Sequence, residues 1–341
     1  LKKRVSSIDV AALAGVSQSA VSRVFTQGAS VSAEMRDKVQ RAARELGYRP
    51  NKLARSLIEG RTRIIGLILT DLDNPFYADL LEEVSDALRA RGFGLMVQLP
   101  RKVEELEAAV AEFHSYRVMG ILSLSAMFSG ELDTACRELG IPAVMLCTGR
   151  EQVPISQVVT DNRGAGAEIA QYLLEGGHQR IAHLSGKSPR LSTYERAIGF
   201  REGLRAGGAE IFAEESGGNT YETMVAATLK LFAGAERPDA VFASTDQMAL
   251  AMMETLQNDL HLRVPEDVSI IGFDDVRAAS WGNHALTTWR QPVQAIVAAG
   301  IDLLLRLRED PAQPPVSIVI KGKLIERGSA RRPQHRQSGA A

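Results

Sequence analysis

The sequence predicts a multi-domain chain: a small all-α head, a short connecting helix, and an α/β body of two parallel-sheet lobes. Three observations carry that reading. Basic residues crowd the start, with 11 Lys/Arg against 5 Asp/Glu in residues 1–60, a net of +6 that leaves −7 for the rest of the 341-residue chain. Three short segments with helix caps fill the first 50 residues. From Ile64 onward, apolar runs alternate with amphipathic helices in two successive series.

In the head, Ser6 or Ser7 can cap a helix over Ile8–Ala14, which Gly15 closes. Ser17 can cap a second over Gln18–Phe25, and Ser32 starts a third in which Met35, Val39, Ala42 and Leu46 share one face. Gly47 stops that helix and Pro50 prevents its resumption. The link Ala14-Gly15-Val16-Ser17 is so short that a glycine with positive φ must turn the second helix sharply against the first. Ala11 is small where the helices touch, and Val16 and Val21 fill the space between them. This is the logic of a helix-turn-helix. Its second helix presents Gln18, Ser19 and Arg23 outward, able to bond base edges and phosphates; Ser6, Ser17 and Ser22 complete the candidate DNA-binding set. The other reading of the head is a three-helix core whose charge is a solvated face.

Asn51–Gly60 is a ten-residue amphipathic stretch, marginal as an isolated helix and readable as a plain linker packed on the body. In the body, Ile64–Leu69, Phe93–Leu99, Gly120–Leu124 and Ala143–Cys147 read as strands, with helices over Tyr77–Arg91 and Val103–Tyr116. The second series has strands at Arg180–Ser185, Asp239–Ala243 and Val268–Gly272, and helices at Gly164–Glu175, Glu195–Ala206, Thr223–Phe232 and Met248–Asn258. After a last helix, Val293–Arg308, strands at Val316–Ile320 and Leu324–Gly328 return to each lobe in turn. The expected division is a head over 1–50, a hinge over 51–61 and a core over 62–330. Lobe one takes about 62–160 and 292–320, lobe two about 161–291 and 321–330. The polar, basic stretch from Ser329 to Ala341 is expected as a disordered tail, with residues 331–341 outside the core. Ligands of such folds gather at the carboxyl ends of the strands, so the cleft between lobes is the default pocket.

Composition narrows the function. Hydrophobic residues at 45% and charged residues at 24% exclude disorder as the dominant state. Two cysteines, Cys136 and Cys147, cannot build a disulfide framework or a four-cysteine zinc site. No run approaches the ~18 apolar residues of a membrane helix. Ser6, Ser7 and Asp9 interrupt the sequence after Lys2-Lys3-Arg4, so no secretory signal is expected there and a reducing, cytoplasmic setting fits best. Enzyme motifs fail on inspection. Gly164-Ala165-Gly166 has Ile169 where a dinucleotide fingerprint needs glycine, and Gly186-Lys187-Ser188 has Ile181 where a phosphate loop needs one. His178 and His183 are expected at helix ends and in core bonding. No catalysis, cofactor, metal or membrane partner is expected.

The pieces Ile8-Asp9-Val10-Ala11, Ala14-Gly15-Val16-Ser17 and Val21-Ser22-Arg23-Val24, continuing through Leu46-Gly47-Tyr48 and Pro50-Asn51, resemble the headpiece of the lactose/galactose repressor family of bacterial transcription regulators. The body resembles that family's periplasmic-binding-protein-like effector core through Asn74-Pro75-Phe76-Tyr77, Asp161-Asn162, Asp246-Gln247-Met248-Ala249, Gly272-Phe273-Asp274-Asp275 and Gln291-Pro292. The resemblance spans about residues 6–330. It implies a ligand-responsive regulator, most readily a repressor, binding a palindromic operator in double-stranded DNA as a homodimer. It also implies that the hinge becomes helical on DNA, with Leu57 wedging into the minor groove beside Asn51, and Ala54 letting two hinges approach. A non-regulatory sugar-binding protein is the competing reading.

The same resemblance assigns a ligand set: Phe76, Tyr77, Cys147, Asp161, Arg196, Thr220, Tyr221, Thr245, Asp246, Asp274 and Gln291. Arg196, read at a helix start, can make a forked charged contact, or be a surface arginine. Asp274 directly follows an apolar strand and can accept two hydroxyl protons, or cap a helix. Phe76 and Tyr77 offer flat faces to a sugar ring or base, or belong to the core. Gln291 sits at a lobe crossover and bonds ligand or hinge. Cys147 stands where many sugar-binding members have Asp, Thr245 where Asn is usual, and Thr220 with Tyr221 where a loop aromatic is common. These departures point away from the lactose and purine pockets, toward another sugar, sugar acid or polyol. No leucine heptads follow the body, so a dimer is expected rather than a tetramer joined by a coiled coil.

Overall fold

The computed structural model describes residues 5–25, 29–49, 62–70, 72–124, 128–149, 155–186 and 191–333. The chain forms two compact units, residues 1–62 and 63–341. The hinge, with Asn51, Ala54 and Leu57, lies outside the described residues, as do positions 334–341.

In the first unit, α1 (Ser7–Ala14) starts at a capping box: the Ser6 hydroxyl accepts from the Asp9 amide, and the Asp9 carboxylate accepts from the Ser6 amide at 2.8 Å. Gly15 closes it at φ 67°, a conformation that the short turn requires and that costs glycine nothing. Ser17 caps α2 (Gln18–Val24) and Ser32 caps α3 (Ala33–Glu45). Val10, Ala11, Val21, Val24, Val39, Ala42 and Ala43 form the core between the three helices. Phe25 and Tyr48 pack against that core, their rings 5.9 Å apart.

The second unit carries two six-stranded sheets. Lobe one contains β1 (Ile64–Ile68), α4 (Pro75–Ala90), β2 (Gly94–Gln98), α5 (Val103–Ser115), β3 (Ile121–Ser123), α6 (Gly130–Glu138), β4 (Ala143–Leu146) and β5 (Gln157–Thr160). Lobe two follows with α7 (Asn162–Glu175), β6 (Ile181–Ser185), α8 (Leu191–Ala206), β7 (Ala213–Ser216), α9 (Tyr221–Leu231), β8 (Ala240–Ala243), α10 (Asp246–Asn258), β9 (Ser269–Asp274) and β10 (Thr287–Arg290). The chain then returns through α11 (Val293–Glu309) and β11 (Ser317–Ile320) to sheet one, and ends sheet two with β12 (Lys323–Ile325). The strand orders are β11-β5-β4-β3-β1-β2 and β12-β10-β9-β8-β6-β7. Central strands such as β4, β8 and β9 are buried at every position, as strands covered on both faces must be; edge strands β7 and β11 alternate.

Three crossovers join the lobes, after β5, β10 and β11, each leaving the carboxyl end of a strand. That geometry explains one departure from all-parallel sheets. β12 enters sheet two from the cleft side, at the carboxyl ends of its neighbours, and so runs antiparallel to β10. Strands β5, β7 and β10 and helix α6 were not expected from the sequence. β7 reads Ala-Glu-Glu-Ser, a polar edge, and β10 buries two threonines whose hydroxyls find partners within the fold. The tail expected from Ser329 is corrected too. Ser329 is buried, its hydroxyl donates to the Ile270 carbonyl at 2.6 Å, and the Arg331 amide donates to Ser269 Oγ at 3.0 Å.

Helices α7 and α8 touch backbone to backbone. A Cβ on Gly199 would lie 1.9 Å from the Arg163 carbonyl oxygen, and one on Gly166 2.2 Å from that of Arg196. Gly166, the end of the dinucleotide-like Gly-Ala-Gly, is therefore a packing glycine beneath Arg196. Gly199→Ala is expected to cost ~1–3 kcal/mol or more of stability by overpacking this contact, read as a lower urea midpoint. An unchanged midpoint would mean that the helices part freely.

Candidate functional site

Two sites emerge, one in each unit. In the head, α2 buries Ala20, Val21 and Val24 and leaves Gln18, Ser19, Ser22 and Arg23 exposed. Gln18 Nε2 donates to Ser7 Oγ at 3.1 Å, and the hydroxyls of Ser17 and Ser19 lie 2.9 Å apart. Ser6 and Ser17 hold helix caps, so their first effect is to fix where α1 and α2 begin. On α3 the charges pair along the helix, Lys38 with Glu34 and Arg41 with Asp37.

In the body, the crossovers converge on a closed ring of buried polar groups. The Thr160 carbonyl accepts from Asn162 Nδ2 at 3.1 Å, and Asn162 Oδ1 accepts from Arg196 Nε at 2.8 Å. Arg196 Nη1 lies 3.9 Å from Asp274 Oδ1. Asp274 Oδ1 accepts from Gln291 Nε2 at 2.7 Å, and Gln291 Oε1 accepts from Thr160 Oγ1 at 2.7 Å. Arg196, Asp274 and Gln291 are 4%, 5% and 4% exposed. Arg196 also donates to the Ser244 carbonyl at 2.7 Å, and its guanidinium carbon sits 3.5 Å from the centroid of the Phe273 ring. Burial opposes its charge, and the Asp274 carboxylate acts in the other direction.

Around the ring, Phe76 and Tyr77 lie in the first turn of α4, buried and edge-on to one another with centroids 5.5 Å apart. Cys147 follows β4; burial, then Asp274, push its thiol up to about 12, so it is a neutral, soft contact rather than a thiolate. Cys147, Asp274 and Asp275 hold φ of 62°, 127° and 60°, so non-glycine backbone strain gathers at these strand ends. A cavity of about 720 Å³ opens between the lobes beside Phe76, Asp274 and Gln291, and Arg277 crosses it to Asp79 at 2.9 Å.

Residues 8–51 match the family of bacterial regulatory proteins of the lacI type, and residues 170–330 match the periplasmic binding protein-like domain. The HTH-type transcriptional regulator CelR of Thermobifida fusca is 36% identical over 333 residues, covering 94% of this chain and 96% of that protein. The ribose operon repressor of Escherichia coli K12 is 33% identical, covering 94% and 98%. The chain belongs to the LacI family. Among solved structures, the complex of the regulator CelR with cellobiose aligns at TM-score 0.71 and 34% identity, covering 96% of this chain and all of that one. The lac repressor dimer bound to operator and an anti-inducer aligns at TM-score 0.84 and 27% identity, covering 96% and 99%. This LacI-family chain is a ligand-responsive, DNA-binding transcription regulator, and its relatives are regulators rather than enzymes. Among the described residues no helix is long and apolar enough to cross a membrane.

Within this family member, several expected ligand residues hold caps or buried bonds of the fold. Arg196 stands in the second turn of α8, not at its start, and is buried rather than on the surface. Asp161 caps α7, accepting from the Gly164 amide at 2.9 Å, and Thr245 caps α10. Asp246 is fully buried, with Oδ1 accepting from Thr288 Oγ1 and Oδ2 from the Val276 amide at 2.9 Å, so both carboxylate oxygens have partners within lobe two. Thr220 caps α9, and Tyr221 is half exposed beside a separate cavity of about 460 Å³ lined by Pro75, Met224 and Gln247, so neither joins the ring. Residue types that cap helices also bind hydroxyls, and the sequence alone does not separate the two uses. The ring members Thr160 and Asn162, and Ser244 whose carbonyl accepts from Arg196, were missed. Asn162 sat in the matched Asp161-Asn162 pair, and its place just after a crossover was the available signal.

Burial, then the charge of Asp274, raise the Asp246 carboxyl to about 7. The native state then holds its proton more tightly than the unfolded chain, so this group's contribution to stability falls as pH rises from the unfolded value through about 7. Between about pH 5 and pH 8 the wild-type urea midpoint is expected to fall relative to that of Asp246→Asn; parallel pH curves would contradict it.

Proposed function

We propose that this LacI-family regulator is a repressor that binds a palindromic operator as a homodimer in the bacterial cytoplasm and responds to a sugar held between its lobes. Residues 1–50 would read the operator, with Gln18, Ser19, Ser22 and Arg23 toward the bases and phosphates. The hinge over 51–61 would enter the minor groove at Leu57. The observation that carries the effector half of this reading is the buried Arg196–Asp274 pair, with Phe76 beside Asp274 along the cavity between the lobes and Tyr77 next to Phe76. A charged donor and a charged acceptor suit neighbouring hydroxyls, and aromatic faces suit the C–H side of a sugar ring. The complex of a 34% identical relative with cellobiose makes that disaccharide the first effector to test. Cys147 provides no charged hydroxyl acceptor, which separates the pocket from those with a carboxylate there.

A sugar touching both lobes favours one lobe closure over another, and shifts operator affinity only by its differential affinity for the two. Binding proceeds without turnover. Calorimetry with cellobiose, ribose and sugar acids tests the site. Arg196→Ala and Asp274→Ala are each expected to weaken the sugar roughly tenfold or more, as loss of a charged, desolvated hydrogen bond requires, while sugar-free operator affinity is kept. Wild-type affinity in both variants would place the effector elsewhere.

Arg23→Ala is expected to lower the ratio of specific to non-specific operator binding by ~1–3 kcal/mol, the worth of one bidentate base contact. Fluorescence anisotropy on operator and scrambled duplexes reads it; an unchanged ratio would remove Arg23 from the recognition surface.

A further inference from the structure

We infer that His183, which stands in β6 of sheet two, is a positioning residue that holds the Arg196 guanidinium in place through Ser244. The inference deepens the reading of Arg196 as an effector ligand and rests on it for its functional consequence. Ser244 joins the two: its carbonyl accepts from Arg196 Nη1 at 2.7 Å, and its hydroxyl lies 2.9 Å from His183 Nε2. On the far side of the imidazole, Nδ1 lies 2.8 Å from Glu214 Oε1, and Glu214 Oε2 accepts from Arg201 Nη2 at 2.5 Å. The ring itself is clamped, stacked on Phe242 at 5.2 Å and 15°, with Phe200 at 5.7 Å.

The direction of each bond follows from charge. His183 and Arg201 hold the Glu214 carboxyl down to about 2, so it is an anion that can only accept. Nδ1 therefore carries the proton. Burial keeps the imidazole neutral by lowering its pKa, so Nε2 keeps a lone pair and the Ser244 hydroxyl donates to it. Each group has one compatible orientation, and the Ser244 peptide is pinned from its side chain while its carbonyl pins Arg196. His183 and Ser244 are both fully buried. Burying such groups is costly unless each is bonded, and an apolar residue would fill an inner strand position at no such cost. The polar relay thus has a consequence at its other end, in the cleft, where a guanidinium fixed before binding loses less freedom when a sugar arrives.

The test uses the full chain without sugar, labelled with 15N in histidine and arginine, the Arg196 Nε–H signal being identified by its loss in Arg196→Lys. His183 is expected as the neutral Nδ1–H tautomer. His183→Phe, which keeps the stacking, and Ser244→Ala, the milder variant should the first fail to fold, are each expected to speed solvent exchange of that N–H about three- to tenfold, and the double variant no more than the faster single one, because all remove one hydrogen bond. Cellobiose affinity is expected to fall about three- to tenfold in the same variants, with sugar-free operator binding unchanged. Unchanged exchange in both single variants, multiplying effects, or an Nε2–H tautomer would overturn the relay. Faster exchange with no change of cellobiose affinity, even in Arg196→Lys, would leave the relay standing and overturn the effector reading instead.

Discussion

The contact between Gln291 and its two partners, Thr160 in lobe one and Asp274 in lobe two, is the constraint on which the body depends. Gln291 is the first residue after β10, where the chain leaves one sheet for the other, so a side-chain amide there ties both lobes at their pivot. Its oxygen can only accept and its nitrogen can only donate, so Thr160 and Asp274 are each met by the atom they need. Because Asp274 also faces Arg196, and Arg196 returns through Asn162 to the Thr160 carbonyl, the pivot and the candidate effector site are one network. Any ligand that engages Arg196 or Asp274 acts on the pivot directly.

That network is built by close packing as much as by charge. Glycines at 166 and 199 bring α7 and α8 into backbone contact, which places Asn162 at one helix start against Arg196 in the next helix. Phe273 then covers the flat face of the guanidinium. The strained backbone at Cys147, Asp274 and Asp275 lies at the carboxyl ends of β4 and β9, where side chains must turn into the cleft rather than along the strand. Strain of this kind persists only when the surroundings over-determine it, and here Gln291 and Arg196 hold Asp274 while Arg290 and Arg327 hold Asp275.

Much of this was legible in the sequence because it is local. Ser6, Ser17 and Ser32 announce their helices through cap chemistry, Gly15 announces the turn, and the continuous apolar runs announce strands buried on both faces. What stayed hidden depends on tertiary neighbours. β7 and β10 lack an apolar signal, and Ser329 looks like tail until its hydroxyl meets β9. Thr220, Thr245 and Asp246 carry groups equally fit for a cap, a buried bond or a sugar, and only the fold shows the caps and the buried bond that they make. Asn162, Ser244 and His183 acquire meaning through partners 34 to 61 positions away.

The account's central claim is that occupation of the cleft changes how the lobes close. The most direct measurement places spin labels on exposed positions of the two lobes, Asp86 in α4 and Gln257 in α10, and records their distance distribution by pulsed electron resonance with and without saturating cellobiose. The account predicts a sugar-dependent shift to a new, narrower distribution in the wild-type background that is absent when Asp274 is replaced by Ala. A bound sugar that leaves the wild-type distribution unmoved would contradict it.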